Sequence, residues 1–111
     1  MPNITILRNV SFKQQAGRCF YCSQPMWRDS LEHFARAHHL SERRAMWLKA
    51  SAEHLEARRD GGSNSGVNIV AACVYCNGHR HRAREALDPV RYQQRVRARL
   101  AAGKWHGLRL R

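Results

Sequence analysis

Acidic residues are scarce in this chain: eight Asp and Glu stand against twenty Lys and Arg, a net charge of +12 over 111 residues. Lysine is scarcer still, because seventeen of the twenty cations are arginine. Solubility does not require so strong a tilt, and a polyanionic partner is the first expectation. Arginine suits phosphate in particular, since its planar fork can donate two hydrogen bonds to one group. The excess is uneven, with ten basic and two acidic side chains in residues 79–111. Long apolar runs are missing as well. No stretch approaches the ~18 apolar residues of a membrane span, and "MPNITILRN" lacks the basic-then-apolar build of a signal peptide. A cytoplasmic setting without a membrane partner is the resulting expectation. There is no internal repeat or low-complexity linker, so a single domain over residues 1–111 is expected.

Cysteine is sparse but patterned. The four occur as Cys19-x-x-Cys22 and Cys73-x-x-Cys76, with fifty residues between the pairs. A chain of this size buries only about two-thirds of its unfolded surface, and so small a core often needs a staple. In a reducing compartment metal is favoured over disulfides. Two knuckles with no cysteine left over suit a tetrahedral site of four thiolates, with zinc as the expected ion. Such a site is closed and structural. Redox-active or disulfide-forming pairs are the competing reading.

Local patterning places these motifs. Residues 8–16 read as a short helix stopped by Gly17, and "GRCFYCSQPM" as a tight metal-binding turn closed by Pro25. "DSLEHFARAHHL" and "SERRAMWLKAS" read as two helices, capped by Asp29 or Ser30 and by Ser41. "SAEHLEARR" reads as a strand, "DGGSNSG" as turn chemistry, and the β-branched "VNIVAAC" as a second strand, which together make an antiparallel hairpin. A helix is expected beyond Cys76 through "NGHRHRAREAL". Asp88-Pro89 should start another, over residues 88–103, with Val90, Val96 and Leu100 inside and Arg91, Arg95 and Arg99 forming an exposed ridge. The tail 104–111 shows no clear structure. Trp27, Trp47 and Trp105 read as packing residues, the last alternatively as a tail anchor.

The hairpin should bring Glu53 and His54 beside the helix that carries Asn77 and His81, which lie four apart on one face. A carboxylate, an amide oxygen and an imidazole suit a divalent ion with open water positions, and a free histidine nearby suits a general base. Neighbours on a regular strand face opposite sides. Glu53 and His54 can therefore serve one centre only if the backbone bends there. Taken singly, each residue has a plainer use: Asn77 can cap a helix, His81 can belong to a basic face in "HRHR", and Arg58 and Arg59 can simply be solvated. His33, His38 and His39 lie on a helix without a matching partner, which argues against a second metal site.

From residue 17 to about 85 the order of knuckle, Glu-His pair, turn, Asn, second knuckle and Asn closely resembles the HNH endonuclease family. The resemblance implies an α+β fold, a small ββα-metal core with a four-cysteine zinc knuckle pair and flanking helices. It implies DNA phosphodiester hydrolysis, with His54 as general base and Asn68 bracing the turn and orienting His54. Glu53, Asn77 and His81 would hold one catalytic cation, which could be magnesium, manganese, nickel or zinc. Cys19, Cys22, Cys73 and Cys76 would hold the structural zinc. The acidic residue is Glu where Asp is commoner, so an extra methylene must be accommodated. Duplex DNA is the expected partner, with a protein partner or a homodimer left open, in a bacterial or phage-like intracellular setting. The phosphate contacts would come from Arg58, Arg59, Arg80, Arg82 and Arg84, together with the ridge Arg91, Arg95 and Arg99. The reading from a different class is a zinc-stapled, basic nucleic-acid-binding module without chemistry.

Overall fold

β-branched and small apolar residues of "IVAAC" favour an extended, two-sided burial. In the computed structural model, which describes residues 3–110, they form strand β2 (Ile69–Cys73). Its antiparallel partner is β1 (Ala50–His54), in a register running from Ala50 opposite Cys73 to His54 opposite Ile69. Helix α1 (Ile4–Gln14) packs across both strands. It starts earlier than the sequence suggests because Asn3 caps it, its Oδ1 accepting the Thr5 N–H at 2.7 Å. Ser11 Oγ donates to the Ile69 carbonyl at 2.9 Å. Gln15 then stands in for a third strand: its amide accepts the Ala71 N–H at 2.9 Å and donates to the Ala71 carbonyl at 2.8 Å. Side chains thus satisfy an edge that would otherwise be open to pairing.

Gly17, at φ +73°, turns the chain out of α1 and into the first knuckle. The two middle helices are shorter than expected. α2 (Leu31–Ala37) and α3 (Glu42–Met46) are capped by Ser30 and Ser41, and His39 at φ +55° breaks the path between them. They bury Phe34, Ala35 and Ala45, and Leu48 follows into the core.

Helix α4 (Val74–Arg82) begins inside the second knuckle rather than after it. The reason is Cys73, which occupies the N-cap and accepts the Cys76 N–H on its sulfur at 3.4 Å. The helix ends at Arg82, short of the expected Leu87. Helix α5 (Pro89–Ala101) starts as expected, with Asp88 Oδ1 accepting the Arg91 N–H at 3.0 Å. Its buried stripe is Tyr92, Val96 and Leu100, spaced by four; Val90 falls on the opposite side and is 65% exposed, against expectation. The tail is also ordered, contrary to its sequence. It folds back over the second knuckle and buries His106 and Leu108. Among the described residues no helix is long and apolar enough to cross a membrane.

Candidate active site and four-cysteine centre

Cys19 and Cys22 lie in the turn after α1, Cys73 ends β2 and Cys76 lies in the first turn of α4. All are buried and unbridged, and their sulfurs lie within 4.8 Å of one another. Backbone N–H groups point at the sulfurs, from Tyr21 and Cys73 to Cys19 at 3.4 and 3.3 Å, and from Cys76 to Cys73. Donors aimed at sulfur favour the thiolate, the form that binds metal. Left to themselves, four thiols this close cannot all ionise. Cys22 is held well below the usual thiol range, first by the neighbouring Cys19 and then by Cys73 and Cys76. Cys73 and Cys76 are pushed up, each first by its hydrogen bond with Cys19. A divalent cation resolves that conflict by displacing the protons, so the cluster fits a metal such as zinc.

On the other side of the hairpin the chain bends at Leu55 and Glu56, immediately after β1. Arg80 on α4 pins this bend by donating to the His54 carbonyl and the Leu55 carbonyl, both at 2.9 Å. Glu53 and His54 themselves stay in the β1 ladder, with the bend after them rather than at the pair as expected, and both line one cavity of about 250 Å³ together with Asn77, His81, Arg58 and Arg59. The expected convergence is therefore present in the geometry.

Glu53 is 1% exposed and fully engaged. Its Oε2 accepts from the Tyr21 hydroxyl at 2.8 Å and from Arg80 Nη1 at 3.1 Å. Its Oε1 lies 2.7 Å from His81 Nε2. Burial, followed by the Glu53 charge, keeps the Tyr21 hydroxyl protonated well above the ordinary tyrosine range, so it remains a donor. Asn77 gives both amide hydrogens to β1, donating to Ser51 Oγ at 3.0 Å and the Ala52 carbonyl at 3.1 Å. Its Oδ1 is left for the cavity.

His54 is held by a residue the sequence did not single out. Its Nε2 lies 2.7 Å from Asn64 Oδ1. An amide oxygen only accepts, so the proton sits on Nε2 and Nδ1 is the free lone pair. Asn68 makes no hydrogen bond to the His54 ring, where the expectation had it orient that residue. It does brace the loop: its Oδ1 accepts the Glu56 N–H at 2.8 Å, while its Nδ2 donates to the carbonyls of Glu56 and Ser63. Gly62 permits that closure, since a Cβ there would stand 1.7 Å from the Glu56 carbonyl oxygen. Asn64 sits in a stretch rich in Gly and Ser, where turn formation alone explains an Asn; Tyr21 sits between knuckle cysteines. Neither position advertises its role in one dimension.

Arg80 must be removed from the expected phosphate contacts. It is 4% exposed and spends its guanidinium on Glu53 and on three carbonyls, the third being Leu87 at 3.2 Å. Arg58, Arg59, Arg82, Arg84, Arg91, Arg95 and Arg99 are exposed. His33, His38 and His39 do not gather into a metal-binding cluster among the described residues.

Two antiparallel strands that run into a helix, with a thiolate cluster clamping the helix start, define a ββα-metal fold. The chain belongs to the HNH endonuclease family, whose model matches residues 19–83, more than half of its length. That places it among nucleic-acid-directed proteins, the class its charge suggested. Searches of curated proteins and of solved structures returned no match.

Proposed function

We propose that this protein is a metal-dependent endonuclease that hydrolyses DNA phosphodiester bonds. One observation carries the reading: Glu53, His54, Asn77 and His81 face a single cavity whose rim holds Arg58 and Arg59. The donor set fits a hard or borderline divalent cation, with a carboxylate oxygen, an amide oxygen and an imidazole nitrogen at hand. Holding it there would replace the hydrogen bond between Glu53 and His81. When bound, such a cation supplies positive charge at the scissile phosphate and the leaving 3′ oxygen. Glu53, Asn77 and His81 would hold the cation. Magnesium, manganese, nickel and zinc all suit them.

His54 Nδ1 then takes a proton from a water that attacks phosphorus in line with the 3′ oxygen. A P–O bond forms, the P–O3′ bond breaks, and the departing 3′ oxygen gains a proton from solvent. The products carry 5′-phosphate and 3′-hydroxyl ends. Asn64 keeps the His54 ring in the tautomer this step needs. Arg58 and Arg59 grip the phosphate, and the exposed arginines of α4 and α5 hold flanking duplex. Knuckles, hairpin and α4 act as one catalytic domain, with α5 as its basic flank.

The second reading, a basic binding module without chemistry, draws on Arg80. That guanidinium already neutralises Glu53, so the carboxylate can persist beside DNA without a cation. Plasmid nicking with magnesium, manganese or nickel separates the two. The parent should nick, and His54→Ala should lose at least about a hundredfold in rate while retaining DNA in a gel shift. A parent that binds DNA and nicks with none of these metals supports the module.

A further inference from the structure

The four sulfurs do not share their hydrogen bonds evenly. Cys19 accepts two backbone N–H groups, Cys73 accepts one, and Cys76 accepts the indole N–H of Trp105 at 3.3 Å. Among the described residues Cys22 receives no N–H bond, and its sulfur meets that of Cys73 at 4.0 Å. Four thiolates around one divalent cation leave two negative charges in a buried centre. Donors around the sulfurs disperse that charge.

The matching donor lies in the tail. His106 is 4% exposed and directly follows Trp105, whose indole reaches Cys76. The Leu108 N–H donates to its Nδ1 at 3.0 Å, which makes Nδ1 the acceptor and puts the ring proton on Nε2. That Nε2 is buried and has no hydrogen-bond partner. A buried N–H without a partner is costly and uncommon. It is an orphan donor on a segment fixed at both ends of the cluster, by Trp105 on Cys76 and by Leu110 on Gln24, two residues from Cys22, the sulfur that lacks an N–H.

We infer that His106 Nε2–H donates to the Cys22 thiolate of the metal-loaded centre, and that the tail segment 104–110 is a built part of that centre. Trp105 serves Cys76 from the same turn. The segment is latched at its far end by the Leu110 N–H on Gln24 Oε1, next to the first knuckle, and by Arg109 donating to the carbonyls of Leu100 and Ala101. Metal and tail thus stabilise each other. This inference rests on the four-cysteine metal site and not on hydrolysis, so a failed nicking assay leaves it intact.

Three measurements test it. In the parent protein loaded with cadmium-113, a scalar coupling should link the metal to the His106 Hε2 proton through the sulfur. Its absence, with the other N–H to sulfur couplings visible, overturns the proposal without any substitution. With cobalt(II) in place of zinc, His106→Leu should move the sulfur-to-metal charge-transfer band to longer wavelength, because the thiolate loses a stabilising donor. It should also release zinc to a chromophoric chelator about tenfold faster. His106→Gln, which keeps an N–H, should stay near the parent in both. An unmoved band in His106→Leu, or a His106→Gln that matches His106→Leu, overturns the assignment.

Discussion

Glu53 is held by three side chains from two parts of the chain: Tyr21 in the first knuckle, and Arg80 and His81 on α4. The ion pair with Arg80 is almost wholly buried, with side chains 4% and 1% exposed. Breaking such a pair strands a charge away from water, at about 3–5 kcal/mol. Arg80→Met should therefore lower stability by about that amount in urea unfolding, and adding Glu53→Gln should recover part of the loss. If Arg80→Met unfolds like the parent, the guanidinium is not the partner that matters. The same site sets a response to alkali. Burial chiefly, with nearby negative charge, raises the ionisation of Tyr21 and Tyr92 above the ordinary tyrosine value of about 10. The unfolded chain loses these protons first, so their contribution is complete below pH of about 10 and is lost as pH climbs through the folded values. Stability should fall steeply above that pH, and a Tyr92→Phe variant should show a shallower fall. An equal slope in both would dismiss Tyr92 as a source.

At the scale of elements, caps were legible and ends were not. Ser30, Ser41 and Asp88 cap their helices in both sequence and structure, because a capping hydrogen bond spans only two or three residues. β1 stops at His54, five residues before the expected end at Arg59, where Arg80 takes the carbonyls of His54 and Leu55. That competition comes from twenty-five or more residues away and leaves no local mark. Helix α5 is a clearer case, with Arg91, Arg95 and Arg99 exposed along one ridge while Gln93 and Arg97 bond the knuckle carbonyls of Phe20 and Tyr21. Replacing the three ridge arginines by alanine should weaken DNA binding across sequences alike. The slope of log affinity against log salt should fall by about one unit for each phosphate no longer neutralised. A slope that stays at the parental value would place the DNA elsewhere.

For the whole molecule, the sheet has two strands among the described residues, and side chains from α1, α5 and the tail join the cysteines in one small core. Metal removal should accordingly be felt globally. A strong chelator should lower the melting temperature by at least about 15 °C, given how much folding free energy a structural zinc supplies. One metal per chain should be found before treatment, and an unchanged melt would show that the core stands without it.

Cysteine spacing, the Glu-His pair and the charge excess could all be read along the chain, because each depends on residue type and short separation. From these came the ββα-metal fold, the family and the cavity's cast. Asn64 as the partner of His54, Tyr21 and Arg80 as the clamp on Glu53, and the place of Trp105 on the thiolates came only from the tertiary structure. Those bonds join residues from 10 to 32 positions apart, by directed hydrogen bonds in a space from which water is excluded. Residue type announces that such groups can bond; only the packed fold chooses with whom.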